Sequence, residues 1–417
     1  MPMARNGSTA TPSRCARELA RCAVHRRPDR ASHGVRDCVD RAGASRGRGS
    51  LLTALELFAG GGGAAMGIHR AGLHTLARCE WDRDACATLR AAGDAGHIDA
   101  AEVIEGDVRA VDWSPYVGRV DLMWASPPCQ AWSSAGKRLG ASDDRNGWPW
   151  TFDAVDTVRP TWLLAENVTG LLMHRGDCDG KGAPDDCPGC YFHRHILPEA
   201  ERRFASVQWA ILNSSAFGVP QHRRRVYLVC GPRPIAWPVE THGDPAEIRQ
   251  RGMFAAPLLP WVTVREALGL PLSTIGQRNP ETGRGRNIWH TPDEPSPTLP
   301  AIQGGMSATE SPTSIVYRRR RDGGVADETH STDEPACALR EQPGGSSQPF
   351  LLDSPNAYSN AGIRRLTVTE CALLMAWPAD YPLQGTKTSQ YRIVGNGCTP
   401  PVVEMLTRAV IAAITRA

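Results

Sequence analysis

Short apolar runs separated by helical stretches dominate residues 51–230. Residues 51–72 consist of an apolar strand, a glycine-rich turn and a helix of small residues, and further apolar runs cover residues 103–108, 120–125 and 160–165. Buried strands that alternate with helices are typical of a parallel α/β sheet. The pattern predicts a Rossmann-like fold, in which ligands bind beyond the carboxyl ends of the strands.

The pattern changes twice along the rest of the chain. Residues 232–360 are rich in Pro, Gly, Ser, Thr and charge, which predicts a small, loop-rich inserted domain. Residues 361–417 regain α/β character, with one helix expected over residues 364–381 and another after a Gly-Asn-Gly turn, so we expect them to return to the first domain. Residues 1–50 are Arg-rich without the apolar core of a secretory signal. A disordered tail, or translation that begins downstream, fits them better than a transit peptide.

Polar side chains at the ends of the predicted strands indicate a nucleoside site. Glu80 lies in a CEWD segment after the second strand, and Asp107 follows the third. A carboxylate at the first of these positions can accept hydrogen bonds from ribose hydroxyls, and one at the second can accept them from an adenine amino group. Trp81 can stack on a base or pack in the core. The Lys-Ser/Thr pair of a P-loop is missing, so we expect a nucleoside cofactor without a triphosphate.

Three further segments bring reactive groups to the same edge of the sheet. Cys129 follows a Pro-Pro step that ends an apolar strand, and Glu166 ends the next one. Arg223 and Arg225 alternate just before another apolar strand, so they share a face and form a candidate anion or base clamp. Each group also has an ordinary structural interpretation: a packed thiol, a helix-capping carboxylate or a solvated basic run.

Charge and composition limit the possible functions of the protein only in part. The net charge is +3, and only three of the 47 cationic residues are lysines. Arginine suits contacts to phosphate and guanine, but a GC-rich genome produces the same bias. No apolar run is long enough to span a bilayer, and the mean hydropathy is -0.34. Thirteen cysteines without a regular framework favour a reducing cytoplasm.

A cysteine- and histidine-rich stretch follows Glu166. Its spacing is compatible with tetrahedral zinc, although it is not a close match to a known zinc module and can equally be an irregular surface loop. We therefore assign no metal from the sequence. The candidate ligands are Cys178, Cys187, Cys190, His193 and His195.

Taken together, the ordered motifs resemble those of the DNA cytosine-C5 methyltransferases of prokaryotes and phages. They are FAGGGG at residues 58–63, EWD at 80–82, GDV at 106–108, SPPCQAWSSAG at 126–136, ENV at 166–168, QHRRR at 221–225 and GNGCTPPV at 395–402. The resemblance covers residues 51–230 and 364–417. It departs from the family at Gly397 and Cys398, where relatives usually carry Ser and Val.

The resemblance implies a Rossmann-like S-adenosylmethionine-dependent methyltransferase domain with an inserted target-recognition domain. The catalytic domain would begin at residues 51–231, the target-recognition domain would occupy residues 232–360, and residues 361–417 would complete the catalytic domain. The expected cofactor is S-adenosylmethionine. By the same resemblance, its binding residues are Phe58, Gly60, Gly62, Glu80, Trp81, Asp107, Val108 and Asn396.

The resemblance also implies a covalent mechanism on a cytosine swung out of the duplex. The thiolate of Cys129 would add to C6, which makes C5 nucleophilic enough to accept a methyl group. Glu166 would hold or protonate N3 and contact the amino group. Arg225 would orient the base near O2, and Arg223 would support the loop and a phosphate.

Double-stranded DNA is the partner that the resemblance implies, for a monomeric, cytoplasmic enzyme without a membrane anchor. A restriction endonuclease that cuts the same site is a further expected partner. Two other functions remain open: a tRNA cytosine-C5 methyltransferase with the same chemistry, and a catalytically silent DNA-binding relative. An amino-methyltransferase is disfavoured, because its Pro-Pro step would precede an aromatic residue rather than Cys129.

Overall fold

The computed structural model describes residues 51–128, 146–174, 187–250, 256–269 and 366–416, and the backbone of short strands between residues 276 and 365. Residues 1–50, Cys129 and Cys178 lie outside the described residues, as does most of the predicted target-recognition domain. The predicted domain boundaries stay predictions for this reason.

The main strands are β1 Thr53–Leu57, β2 His74–Glu80, β3 Glu102–Glu105, β4 Leu122–Ala125, β5 Trp162–Val168, β6 Ser206–Asn213, β7 Gln221–His222 and β8 Arg224–Gly231. The helices are α1 Gly63–Ala71, α2 Arg83–Asp94, α3 Trp148–Val158, α4 Pro188–Tyr191, α5 Leu197–Arg203, α6 Pro245–Gln250, α7 Val264–Leu268, α8 Val368–Leu374, α9 Lys387–Asn396 and α10 Pro400–Thr415. A π-helix, Phe192–Ile196, joins α4 to α5. Short strands follow as β9 His242–Gly243, β10 Leu259–Pro260, β11 Gly276–Gln277, β12 Ile288–Trp289, β13 Ser314–Val316, β14 Thr329–Ser331, β15 Ala336–Cys337, β16 Phe350–Leu352 and β17 Ile363–Arg365.

The central sheet has seven strands in the order β3-β2-β1-β4-β5-β8-β6. The first five are mutually parallel, and β8 runs antiparallel to both of its neighbours. The chain leaves β1 towards β2 on one side and later reaches β4 on the other, so the carboxyl ends of β1 and β4 flank a switch point where a ligand crevice forms. The predicted Rossmann-like fold is confirmed.

The C-terminal segment packs against the first helix of the sheet domain. Residues Val402, Leu406 and Val410 of α10 are buried in one core cluster with Ala64 and Ile68 of α1. By length and composition alone, Lys387–Thr415 is apolar enough to cross a membrane. That segment is two helices, α9 and α10, and half of its most apolar window is buried inside the protein, so it serves as core.

The helix predicted over residues 364–381 is wrong at both ends. Its first residues belong to β17, and α8 begins only after Thr367. The Thr367 hydroxyl accepts a hydrogen bond from the Glu370 backbone amide, and the Glu370 carboxylate accepts one from the Thr367 backbone amide. This reciprocal cap fixes a helix start that apolar spacing does not reveal. The helix ends at Leu374, ahead of Pro378, which cannot extend it.

Two glycines in helices give opposite predictions for substitution by alanine. A Cβ on Gly67 of α1 would lie 2.5 Å from the Val403 Cβ and 2.7 Å from the Pro400 carbonyl of α10, whereas one on Gly93 of α2 would meet only ordinary contacts. We expect Gly67→Ala to destabilise the fold by about 1–3 kcal/mol through overpacking. Gly93→Ala should stabilise it by about 0.5–1 kcal/mol through helix propensity. Urea unfolding of both variants checks this, and equal shifts would contradict close packing of α1 on α10.

Candidate active site

A cavity of about 560 Å³ opens at the carboxyl ends of the parallel strands. Seven motifs that lie far apart in the sequence contribute to its wall, from the glycine turn after β1 to the end of α9. Most of the residues predicted for the site line it together: Phe58, Gly60, Glu80, Trp81, Asp107, Val108, Glu166, Arg223, Arg225 and Asn396.

The glycine turn presents one open face to this cavity and packs its other face on the C-terminal segment. Gly60 has φ +56°, and a Cβ placed on it would meet nothing within 4 Å among the described residues, so a ligand can approach the backbone there. Gly62 is different, because a Cβ on it would collide with the Tyr381 hydroxyl. That hydroxyl donates to the Gly61 carbonyl at 2.7 Å. The structure thus gives Gly62 a packing role and does not bring it to the cavity wall.

Glu80 is held by three backbone amides. Its Oε2 accepts from the Gly60 amide at 2.7 Å, and its Oε1 accepts from the amides of Trp81 and Asp82, both at 2.9 Å. Burial raises the pKa of Glu80, and the three amide hydrogen bonds oppose that rise. Since a carboxylate oxygen has two lone pairs, Oε2 keeps one acceptor site for a hydroxyl in the cavity.

The next wall carries an aromatic side chain and a second carboxylate. Trp81 is 71% exposed, so it is a surface platform and not part of the core. Both carboxylate oxygens of Asp107 accept hydrogen bonds from Nε of Arg109, Oδ2 at 2.9 Å and Oδ1 at 3.0 Å. These hydrogen bonds lower the pKa of Asp107. The Arg109 guanidinium lies over the Trp150 ring, 4.8 Å from its centre.

Arg109 and Trp150 also line the cavity, and sequence reasoning missed both. Arg109 follows Asp107 by two residues, and that spacing alone could have suggested the pairing. Trp150 lies in the first turn of α3, where nothing in the sequence separates it from a core aromatic. The Arg109 guanidinium, stacked on Trp150, therefore holds the Asp107 carboxylate in place as an ionised hydrogen-bond acceptor.

Glu166 and Arg225 form an ion pair in the wall of the cavity. Arg225 Nε lies 3.0 Å from Glu166 Oε1, and both side chains are largely buried. The antiparallel register explains the pairing: Glu166 lies opposite Tyr227, and Arg225 opposite Val168, so the two charged residues are diagonal neighbours on one face. The structure therefore joins two residues that the sequence could only place at one edge.

Arg223 has different partners from Arg225. Its Nη1 and Nη2 donate to the carbonyls of Gly395 and Gly397 at 3.2 and 2.8 Å, and the residue is only 2% exposed. Burial, and then the charge of Arg225, lower the pKa of Arg223 to about 10, while Glu166 opposes the shift. Its Nε has no hydrogen-bond partner among the described residues. Arg223 thus binds the backbone of the Gly-Asn-Gly turn. The sequence predicted it only as part of an anion or base clamp with Arg225.

The same turn explains the departure from the family motif at residue 397. A Cβ on Gly397 would collide with the Trp377 ring, and the Trp377 indole N–H donates to the Cys398 carbonyl at 3.0 Å. A larger residue than glycine has no room beside this tryptophan. Asn396 is exposed and lines the cavity, and it is the residue of the turn that was predicted to meet the cofactor.

The residues just before Cys129 line the cavity, while Cys129 itself lies outside the described residues. Pro127 and Pro128 follow β4, and the Asn167 amide group donates to the Pro127 carbonyl at 3.1 Å. The strand that carries Glu166 therefore also anchors the Pro-Pro step. The predicted role of Cys129 stays a prediction.

Comparison with known proteins supports one family over almost the whole described chain. The sequence model of the C-5 cytosine-specific DNA methylases matches residues 52–412. The chain belongs to this family. The predicted family membership is thereby confirmed, and the activity that it carries is DNA cytosine C5-methylation.

Relatives with curated names cover most of this methyltransferase. It is 27% identical over 370 residues to the Type II methyltransferase M.NgoMIV of Neisseria gonorrhoeae, which covers 88% of this chain and 99% of the relative. It is 30% identical over 375 residues to the Type II methyltransferase M.NaeI of Lentzea aerocolonigenes, covering 87% and 75% of the two chains. Among solved structures, the S. pombe Dnmt2 methyltransferase matches with a TM-score of 0.52 at 15% identity, covering 87% of this chain and 99% of that one. This likeness supports the fold.

Proposed function

We propose that this DNA cytosine C5-methyltransferase uses S-adenosylmethionine and forms a covalent adduct through Cys129. One observation carries the proposal: the Glu166–Arg225 ion pair and the Glu80 carboxylate line the same cavity. In this proposal the ion pair binds the target base and the carboxylate binds the cofactor nucleoside, so the two ligands would meet in one cavity. When bound, S-adenosylmethionine supplies an electrophilic methyl group.

The cofactor pocket fits a nucleoside by the chemistry of its wall. Glu80 offers an acceptor to the ribose hydroxyls, and Asp107 offers one to the adenine amino group. Trp81 offers an exposed aromatic face on which a base can stack. Gly60 lets the ligand approach the backbone, and Phe58, Val108 and Asn396 complete the lining.

The chain's own residues then act on a cytosine flipped into the cavity. The Cys129 thiolate forms a bond to C6, and the electron pair of the C5–C6 double bond moves to C5, which becomes nucleophilic. Glu166 donates a proton to N3, which neutralises the charge that develops on the ring, and its carboxylate accepts a hydrogen bond from the amino group. Arg225 contacts O2 and stabilises the negative charge as it develops. After C5 has gained the methyl group, C5 gives its proton to water and the Cys129–C6 bond breaks, which restores the C5–C6 double bond and frees the thiolate. N3 returns its proton to the Glu166 carboxylate.

Base-specific contacts would come from residues 232–360, which follow β8 and precede the return of the chain to the catalytic domain. A monomer acting on duplex DNA in the cytoplasm, alongside an endonuclease of the same specificity, follows from the family and stays a proposal. Bisulfite sequencing of DNA from cells that express the protein tests the specificity. One protected cytosine context would identify the recognition site.

Trapping on 5-fluorocytosine tests the covalent step. A pool of random-sequence duplexes carrying this base should give a denaturant-resistant adduct with the wild type, because fluorine at C5 blocks the elimination that frees the enzyme. Cys129→Ser should give no adduct. Cys371→Ser, which changes a buried cysteine of α8, should trap as the wild type does.

The two alternative functions predict different results in the same assay. An adduct with tRNA carrying 5-fluorocytosine, and none with any duplex DNA, would overturn the DNA assignment in favour of a tRNA enzyme. Binding to duplex DNA without any adduct would indicate a catalytically silent relative. Trapping that survives in Cys129→Ser would remove Cys129 as the nucleophile.

A further inference from the structure

A cluster of metal-ligating side chains lies beyond the end of β5, apart from the residues that line the cavity. After Glu166 the chain makes a 3-10 turn, Thr169–Leu172, and reaches His174. It enters α4 at Cys187, with Cys190 one turn later. One ligand atom from each of His174, Cys187 and Cys190 lies within 4.8 Å of the other two.

The distances in this cluster match those of a tetrahedral zinc site. His174 Nδ1 lies 3.6 Å from the sulfur of Cys187 and 3.6 Å from that of Cys190. For Zn–S bonds of about 2.3 Å and Zn–N bonds of about 2.0–2.1 Å at tetrahedral angles, the nitrogen and each sulfur lie about 3.6 Å apart. The histidine nitrogen therefore already lies at the distance from each sulfur that a shared ion would impose, and the two sulfurs lie within 4.8 Å of each other.

Hydrogen bonding explains the arrangement less well. A ring nitrogen of histidine offers either one proton or one lone pair, so it makes one good hydrogen bond. Here two sulfurs approach the same nitrogen at equal distance. Convergence of several donors on one common point is the geometry of metal coordination.

The backbone between the two cysteines is shaped to receive the histidine ring. A Cβ on Gly189 would lie 2.9 Å from both Cε1 and Nε2 of His174, so only glycine leaves room for the ring. The Gly189 amide also donates to the Met173 carbonyl at 3.1 Å. Both cysteines are buried, whereas His174 is exposed.

The structure corrects the set of candidates that the sequence suggested. Cys187 and Cys190 do come together, but their third partner is His174. His193 stacks on His174 with ring centres 6.4 Å apart, and His195 stacks on Tyr191. Cys178 lies outside the described residues. The sequence spacing could not identify His174, because its distance along the chain from Cys187 matches no common module.

We propose that His174, Cys187 and Cys190 bind one Zn²⁺ ion in a structural site, with a fourth donor completing the tetrahedron. The ion links His174 to the two cysteines and fixes the start of α4. Because the unfolded chain does not hold these three donors together, the free energy of metal binding adds to the free energy of folding.

The site also supports the wall that carries the Pro-Pro step. Tyr191, the residue after Cys190, accepts a hydrogen bond from the Asn146 side chain at 2.8 Å. The neighbouring Gly147 packs directly against Pro127 and Pro128. Losing the ion should therefore loosen the residues on both sides of the segment that contains Cys129, without removing any group from the cavity.

Metal analysis of the full-length protein, purified without chelator from zinc-supplemented cells, tests the proposal. We expect one zinc per chain in the wild type and a fall to background in Cys187→Ser, Cys190→Ser and His174→Ala. Cys230→Ala is the matched control, because it removes a buried sulfur of β8 that is not part of the cluster. Sub-stoichiometric zinc in the wild type, or full zinc in the three variants, would overturn the site.

Cobalt substitution keeps the test decisive if the variants fold poorly. Wild-type protein stripped with a chelator and titrated with Co²⁺ should show a sulfur-to-cobalt charge-transfer band and the visible bands of a tetrahedral ion, saturating at one equivalent. Thermal unfolding should shift upwards on metal addition. A titration without the charge-transfer band would show that the thiolates do not bind the ion. These measurements do not depend on methyl transfer, so they are independent of the proposed function.

Discussion

Replacing Glu166 with glutamine should lower the single-turnover rate of methyl transfer by about 10²- to 10⁴-fold, the range that general acid–base catalysis supplies. Glutamine keeps the size of the side chain and can still accept a hydrogen bond from Arg225 Nε, now 3.0 Å from the carboxylate. It cannot deliver a proton to N3. The fold should therefore survive while the adduct loses its stabilisation. Transfer of labelled methyl groups to plasmid DNA measures the rate.

Glu199→Gln is the matched control for this variant. Glu199 also pairs with an arginine, Arg203, but its side chain is half-exposed on α5 and does not line the cavity. Arg203 keeps its second partner, Asp156, so this change should leave the rate of methyl transfer unchanged and lower the unfolding temperature only slightly. A Glu166→Gln enzyme that methylates at the wild-type rate would show that another group protonates the base.

The sequence was informative wherever a side chain follows a strand. Parallel strands end at one edge, so the order of apolar runs was enough to expect Glu80, Asp107 and Glu166 around one site, and all three line one cavity. The ion pair of Glu166 with Arg225 could not be predicted in the same way. It depends on the antiparallel register of β5 and β8, which local periodicity does not specify.

The features that escaped prediction depend on contacts between distant segments. Gly397 is a glycine because of Trp377, and the left-handed turn at Gly62, with φ +99°, is further restricted by Tyr381, so these two contacts cannot be read from the neighbouring sequence. Arg223 was placed with Arg225 by alternation, yet its partners are carbonyls some 170 residues later in the chain. His174 was missed for the same reason: its relation to the cysteines is spatial.

Replacing Glu80 with glutamine should weaken binding of S-adenosylhomocysteine by about 10- to 100-fold, since a hydrogen bond to a charged group contributes about 1.5–3 kcal/mol. Three backbone amides converge on this carboxylate, and it accepts from all of them. A glutamine amide has only one acceptor oxygen. If that oxygen accepts the hydrogen bonds from the amides of Trp81 and Asp82, the NH₂ group of the glutamine faces the Gly60 N–H. Two hydrogen-bond donors then face each other without an acceptor.

The effect should appear in binding and not in chemistry. Loss of an interaction made equally in the ground and transition states raises KM for the cofactor and leaves kcat nearly unchanged. Calorimetry with the nucleoside product measures the affinity, and an analogue without ribose hydroxyls should lose less than the parent compound. Glu105→Gln, which makes the same charge change at the exposed end of β3, should bind as the wild type does. Equal affinities for wild type and Glu80→Gln would contradict the placement of the ribose at Glu80. The repulsion between the glutamine NH₂ group and the Gly60 N–H cannot be relieved without moving the turn that the ligand contacts.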